Sequence, residues 1–174
     1  RLAVDITGAA ISPLTGVGMY TLKQMEAFLR VAEGFDVHFF ASAGRIVHEQ
    51  LHSLINQGAA LRTVACPVQL RIALWTRLGW PPLEWFTGTI DVALGMFHLL
   101  PATCRHVKRL MAVYDLAWLR CPEWHTDSVG GLHDKMLRHA ACHADAFIAI
   151  SESTKHDLCE LLDVPPNRVH VVYA

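Results

Sequence analysis

Residues 2–20, LAVDITGAAISPLTGVGMY, decide the fold class of this protein. The run from Leu2 to Ile6 is rich in branched apolar residues, which is typical of a buried strand. The segment Thr15-Gly-Val-Gly-Met-Tyr20 then leads into an amphipathic stretch, which predicts a helix from about Gly18 to Ala32. A strand, a glycine-containing loop and a helix in this order form the first half of a β-α-β unit.

The same alternation of short apolar runs and longer amphipathic stretches continues to the end of the chain. We predict strands at Leu2–Ile6, Val37–Ala41, Leu61–Val64, Val92–Leu94, Arg109–Val113, Ala146–Ile150 and Val169–Val172. Further helices are predicted at Ile46–Gln57, Leu70–Leu78, Ser128–Cys142 and Ser153–Leu162. The fold class is therefore α/β, a Rossmann-like doubly wound parallel sheet of about seven strands flanked by helices.

Length and composition indicate one domain and disfavour nucleic acid as a partner. The chain has 174 residues, with 15 basic against 16 acidic side chains and no run of like charge, so nucleic acid is not an expected partner. No apolar run approaches the roughly 20 residues that span a bilayer. Five cysteines, odd in number and scattered, favour reduced thiols in a cytosolic protein, and we interpret them as small core residues.

The glycine loop after the first strand is the first candidate site. Ligands of open parallel sheets bind beyond the carboxyl ends of the strands. Gly16 and Gly18 lack a Cβ, and with Val17 they begin a helix whose free N–H groups favour an anion such as a diphosphate. The alternative is a turn in which glycine is needed for a positive φ.

A dinucleotide-binding fold needs a third glycine in this loop and an acidic residue at the end of the second strand. Thr21 occupies the position of the third glycine, and the second strand runs through Phe39 and Phe40 into Ser42. NAD binding is therefore disfavoured.

Two later loops carry polar side chains at the same predicted edge. His98, in the loop after the fourth strand, can donate a hydrogen bond or act as a base, or it can be a packing residue. Tyr114 and Asp115, which follow the fifth strand directly, are the candidate catalytic residues. Asp115 can orient a sugar hydroxyl or accept a proton, and its alternative role is to cap a backbone turn.

The remaining candidates have weaker signals. Glu123 follows a proline beyond the fifth strand. Ser151 and Ser153 stand at a helix start, where capping alone explains them, and Glu152 in the same turn reaches a ligand or is a solvated acid favoured by the helix dipole.

Two features permit other partners. The segment Leu70–Phe86 combines three tryptophans with two arginines, which suits peripheral contact with a membrane near a lipid-linked acceptor, although a helix packed on the sheet is the favoured interpretation. His139 and His143 are one helical turn apart, but the sequence offers no convincing third metal ligand, so no metal is expected.

Taken together, these segments resemble the amino-terminal domain of family-4 glycosyltransferases, also called glycosyl transferases group 1. The resemblance covers nearly the whole chain. Its carriers are the loop Gly16–Tyr20, the Asp91 strand with Pro101, the block Tyr114–Trp124, the block Ala144–Lys155, and Pro165, Arg168 and Val171-Val172.

The resemblance implies one half of a GT-B fold. Such an enzyme transfers a sugar from a nucleotide-diphosphate donor with retention of configuration, without a bound metal or other cofactor. Residues 1–174 would form the acceptor-side domain, with the glycine loop Gly16–Gly18 near the donor diphosphate and a glycan or lipid-linked acceptor beside it. The donor-binding domain would follow Ala174, so this domain alone would be inactive. The expected location is the cytoplasm, including the inner face of the membrane.

One position departs from the family pattern. Family members commonly carry His-Asp where this chain has Tyr114-Asp115. A tyrosine still donates a hydrogen bond but is bulkier and ordinarily neutral at pH 7. Two alternatives therefore stay open: a non-catalytic binding or interaction domain with the same fold, and a GT-B sugar-nucleotide epimerase.

Overall fold

The computed structural model describes residues 1–45, 48–96, 98–124 and 127–173. It contains one parallel sheet of seven strands in the order β3-β2-β1-β4-β5-β6-β7. The strands are β1 Leu2–Asp5, β2 Val37–Ala43, β3 Ala60–Ala65, β4 Val92–Gly95, β5 Lys108–Val113, β6 Ala146–Ala149 and β7 Val169–Val171. The α/β fold and all seven predicted strands are confirmed.

The strand order reverses between β1 and β4, which pair with each other in the centre of the sheet. Leu2 of β1 lies opposite Val37 on one side and Val92 on the other. In open α/β sheets, the loops at such a reversal diverge and leave a crevice at the carboxyl ends of the strands. The topology therefore places a crevice above Asp5 and Gly95, the paired last residues of β1 and β4.

Seven α-helices connect the strands among the described residues. They are α1 Gly16–Val31, α2 His52–Asn56, α3 Val68–Arg77, α4 Glu84–Thr87, α5 Ala117–Arg120, α6 Asp127–His143 and α7 Glu152–Leu162. The helix predicted at Ile46–Gln57 is shorter than expected: a 3₁₀ turn at His48–Leu51 leads into α2, and Ile46 lies outside the described residues. No side chain caps the start of α2, and an uncapped five-residue helix has little stability of its own.

Helices pack against both faces of the sheet, because neighbouring strand residues point to opposite faces. Phe39 belongs to a buried cluster with Leu22 of α1 and Leu54 of α2. Phe40, the next residue, belongs to a second cluster with Ile72 and Trp75 of α3. A third cluster joins β5 and β6 to α6 and α7. This arrangement is the doubly wound class that the sequence predicts.

The interpretation of the cysteines as core residues is wrong. None of the five is buried: Cys104 and Cys142 are exposed, and Cys66, Cys121 and Cys159 are half-buried free thiols. The tight core positions go instead to alanine and larger aliphatic or aromatic side chains.

The tryptophans of Leu70–Phe86 divide into two groups. Trp75 is buried against Phe40, and its indole N–H donates to the carbonyl of Pro81 at 3.0 Å. Trp80 and Trp85 are exposed and contact each other edge to face, with ring centroids 5.3 Å apart. The helix α3 is thus packed on the sheet, as favoured, while the following turn presents aromatic surface. No helix among the described residues is long and apolar enough to cross a bilayer.

Candidate functional site

The crevice at the carboxyl ends of the strands gathers most of the predicted site residues. The start of α1 follows β1, His98 follows β4, Tyr114 and Asp115 follow β5, and Ser151 and Glu152 follow β6. Glu123 lies farther along the chain, exposed on the 3₁₀ turn Pro122–Trp124. Parallel strands end at one edge of a sheet, so four separate loops contribute to one place.

The two glycines of the first loop have different structural roles. Both lie in α1 and neither has a positive φ, so the interpretation as a turn that requires a left-handed glycine is wrong. A Cβ on Gly18 would lie 2.3 Å from the carbonyl oxygen of Gly8. A Cβ on Gly16 would meet nothing within 4 Å. Gly18 thus lets α1 pack closely against the preceding turn, whereas Gly16 faces open space.

The first N–H groups of α1 are partly used inside the fold. Thr15 caps the helix, and its hydroxyl oxygen accepts from the N–H of Gly18 at 3.2 Å. The N–H groups of Gly16 and Val17 have no such acceptor among the described residues, so they are the donors that remain for an anion.

Replacing Gly18 with alanine should destabilise the fold. The new methyl group would overlap the backbone of Gly8, and we expect the free energy of unfolding to fall by about 1–3 kcal/mol. Gly16→Ala is the matched control, since its methyl group has room, and should change stability little. Urea denaturation followed by circular dichroism measures both. Equal stabilities of the two variants would contradict the packing role of Gly18.

Tyr114 is buried, and its hydroxyl group is bound on both sides. The hydroxyl donates to the carbonyl oxygen of Met96 at 2.6 Å and accepts from the hydroxyl of Thr21, 3.1 Å away. Burial raises the pKa of Tyr114 to about 12. Its backbone carbonyl accepts from the hydroxyl of Thr154 at 2.9 Å. Tyr114 therefore ties α1, the chain after β4 and α7 together beneath the crevice.

Asp115, the next residue, is exposed at the crevice. One carboxylate oxygen accepts from the N–H of Ala117 at 3.0 Å, which is the turn-capping role considered above. An exposed carboxylate is also free to meet a ligand. Capping and ligand binding are compatible here.

His98 is the most unusual residue of the crevice. Its φ is 52°, a left-handed conformation that non-glycine residues rarely adopt and that concentrates at functional sites. The side chain is buried, and its Nδ1 has no hydrogen-bond partner among the described residues. The imidazole stacks on His133, with centroids 5.5 Å apart, and meets the rings of Tyr114 and Trp118 edge to face.

This environment keeps His98 neutral at pH 7. Burial, and secondarily His133, lowers the pKa of His98 from 6.5 to about 4, while the nearby Asp115 carboxylate opposes that change. A neutral imidazole with an unpartnered nitrogen can accept or donate one hydrogen bond. Asp115 therefore acts on His98 electrostatically, although no hydrogen bond joins the two side chains among the described residues.

Stability should depend on pH through His98. As pH falls below 6.5, the unfolded chain takes up a proton at His98 that the folded protein resists until about pH 4, so folding stability is lost. We expect this residue to account for a loss of about 2 kcal/mol between about pH 6 and 4.5. His98→Asn, which tolerates the left-handed backbone, should remove that part of the slope. Denaturation at several pH values measures it, and identical slopes would refute the assignment.

Ser151 and Glu152 occupy the first turn of α7. The hydroxyl oxygen of Ser151 accepts from the N–H of Thr154 at 3.1 Å, so Ser151 caps the helix as considered above. Glu152 is exposed in the same turn. Both side chains border the crevice, and their binding to an acceptor stays a prediction.

An ion pair that the sequence pattern did not predict lies beneath the crevice. Asp5, at the end of β1, is fully buried and accepts from the guanidinium of Arg71 at 2.6 Å. Its other oxygen accepts from the N–H of Thr7 at 3.0 Å and from the Thr7 hydroxyl. The guanidinium also lies over the ring of Trp75. A charged residue inside the apolar run Leu2–Ile6 was the signal that could have revealed this pair.

Metal ligands do not cluster in the described parts of the chain, where no group of three or more His, Cys, Asp or Glu side chains could hold an ion. His139 and His143 stack on each other, with ring centroids 4.3 Å apart.

A doubly wound parallel sheet with polar residues in the loops at its strand ends is typical of α/β proteins that bind ligands at that edge. The family comparison makes this more specific. The model of Glycosyltransferase Family 4 matches residues 14–174, and the chain belongs to that family. The protein is thus a glycosyltransferase domain. A comparison with curated proteins finds no match.

Proposed function

We propose that this chain is the acceptor-side, amino-terminal domain of a two-domain GT-B glycosyltransferase. The full-length enzyme would transfer a sugar from a nucleotide-diphosphate donor to an acceptor, with retention and without a metal. The observation that carries the proposal is the gathering of the start of α1, His98, Asp115 and Ser151 at the carboxyl ends of β1, β4, β5 and β6, next to the reversal of strand order.

The donor diphosphate would approach the start of α1. Gly16 leaves the surface open, and the N–H groups of Gly16 and Val17 point along the positive end of a 16-residue helix. Gly18 supports this role indirectly by holding the helix against Gly8. The second domain, which lies outside this chain, would hold the rest of the donor.

The acceptor would lie across the later loops. Asp115 would orient a sugar hydroxyl or accept a proton, and His98, Glu123, Ser151 and Glu152 would bind a glycan or lipid-linked acceptor. Tyr114 would serve the chemistry by positioning, because its hydroxyl is already bound to Met96 and Thr21.

We further propose a cytoplasmic enzyme with peripheral contact at the inner face of the membrane. The support is the exposed set of large apolar side chains within Leu70–Phe86, namely Leu70, Leu78, Trp80 and Trp85. Tryptophan is favoured at membrane interfaces because its ring is amphipathic. No nucleic acid is an expected partner, since the net charge is −1.

One observation favours a second candidate, a binding domain without catalysis. The side chain at the position of the family histidine, Tyr114, is buried and cannot reach a substrate without breaking its hydrogen bonds. In this case a ligand would bind at the crevice without being converted.

The experiment is a screen of the full-length enzyme for hydrolysis of, and transfer from, UDP-, GDP- and ADP-sugars. We expect one donor to give a glycoside, and Gly16→Val to weaken its binding at least about tenfold by filling the space near the diphosphate. Gly131→Val is the matched control, because Gly131 is also an exposed helical glycine with open space around it. The absence of product with every donor, together with unchanged ligand affinity in Gly16→Val, would reject catalysis.

A further inference from the structure

A polar cavity lies at the opposite edge of the sheet from the crevice. It has a volume of about 300 Å³ and is formed by the end of α3, the chain after β4, the start of β5 and the end of α6. Arg77, Arg109, His139 and His143 line it. Arg109 is the second residue of β5, so this cavity faces the amino ends of the strands, away from His98 and its neighbours.

The cavity brings positively charged side chains together, and no carboxylate is among the described residues that line it. Neither Arg77 nor Arg109 forms an ion pair within the described part of the chain. Asp145, at the start of β6, is already bound by the Lys108 ammonium and by the backbone N–H of Arg109, each at 2.8 Å. The two guanidinium groups are therefore left for an external anion.

Arg77 and Arg109 are not needed to cap the carboxyl end of α6. Three carbonyl oxygens of its last turn already have donors: the Nδ1 of His143 bonds to His139, the N–H of Ala144 to Ala140, and Arg168 to Ala141. Arg168, which approaches α6 from the 3₁₀ turn Pro166–Arg168, supplies the positive charge that a helix end favours. The side chains of Arg77 and Arg109 thus remain available in the cavity, whereas His143 is already bonded to the carbonyl of His139.

The pKa of His139 and the state of the Thr103 hydroxyl are consistent with an anion site in this cavity. Burial, His143 and Arg109, in that order, lower the pKa of His139. The hydroxyl of Thr103, which also lines the cavity, is buried and has no hydrogen-bond partner among the described residues. An anion in the cavity would supply an acceptor for Thr103 and relieve the repulsion around His139.

We propose that this cavity binds a phosphate-class anion, either a soluble phosphate ester or the headgroup of an anionic lipid. Arginine guanidinium groups donate paired hydrogen bonds to such oxyanions. The volume exceeds what one phosphate group needs, and Trp75 and Pro101 give an apolar wall for an organic part. The exposed Leu78 and Trp80 flank Gly79 at the rim and would suit a lipid.

Titration calorimetry of the full-length protein with sulfate, inorganic phosphate and glycerol phosphate tests whether the cavity binds a soluble anion. Vesicles of phosphatidylcholine with and without phosphatidylglycerol test the lipid source by flotation. We expect saturable binding in at least one arm, weakened about tenfold by Arg109→Gln and by Arg77→Gln. Arg62→Gln, which removes an equal charge on the edge strand β3, is the control and should bind normally. Thermal melting verifies that each variant folds.

The site is refuted if wild type binds none of these probes, or if Arg62→Gln loses as much affinity as the cavity variants. The site does not depend on the proposed catalysis. Asp115→Asn should leave anion binding unchanged, so a failed donor screen and a failed anion titration are separate results.

Discussion

Replacing Asp5 with alanine is expected to lower the free energy of unfolding by about 3–5 kcal/mol. The substitution leaves the Arg71 guanidinium, which is 3% exposed, buried without its carboxylate partner. It also removes the acceptor of the Thr7 N–H and hydroxyl groups. Because the Thr7 hydroxyl oxygen accepts from the N–H of Ser42, the damage should extend from β1 to the end of β2. Urea denaturation measures the change.

Two controls separate the ion pair from other effects. Asp36→Ala removes a carboxylate that pairs with Arg1 at the exposed surface, and it should change stability little. The double variant Asp5→Leu/Arg71→Met removes both charges at once and should recover most of the loss. A single variant Asp5→Ala as stable as wild type would show that the pair does not hold β1 to α3.

Asp115→Asn is expected to lower kcat/KM of the full-length enzyme by about 10²–10⁴-fold with the donor found in the screen. The amide oxygen of asparagine can still accept from the N–H of Ala117, so the turn and the fold should persist. Only the negative charge and the proton-accepting ability are lost. Initial rates over a range of donor and acceptor concentrations measure the effect.

The variant Tyr114→Phe tests whether the Tyr114 hydroxyl positions neighbouring residues or takes part in sugar transfer. Loss of its bonds to Met96 and Thr21 should reduce stability by about 1 kcal/mol, with a smaller effect on turnover than that of Asp115→Asn.

For Asp115→Asn, the control is Glu33→Gln, which removes one negative charge at an exposed position near the end of α1. If Asp115→Asn and Glu33→Gln have equal rates, Asp115 does not take part in transfer.

The strands could be predicted because each buried parallel strand needs a run of apolar residues, and glycine, proline or polar residues separate these runs. The short helices could not be predicted from the sequence. The four-residue helices α4 and α5 show no periodicity that distinguishes them from turns. The predicted start of α2 was wrong for a related reason. The amphipathic pattern continues through a segment that begins as a 3₁₀ turn.

The edge of the sheet where the candidate site residues gather could also be predicted, because the carboxyl ends of parallel strands always meet. The sequence did not predict which of these side chains face solvent. Tyr114 and Asp115 are adjacent, yet the first is buried and the second exposed. The left-handed backbone of His98 and the pairing of Asp5 with Arg71, 66 residues apart, depend on tertiary packing that no local pattern encodes.

The different surroundings of Gly16 and Gly18 have a practical consequence for protein engineering. A mutant library randomised at position 16 would vary the shape and polarity of the crevice while most members still folded, because the direction of its missing side chain is empty. Randomising position 18 would return mostly misfolded clones, since even one methyl group overlaps the main chain of Gly8. Specificity can therefore be altered at one glycine of the loop independently of stability, provided that the other is kept.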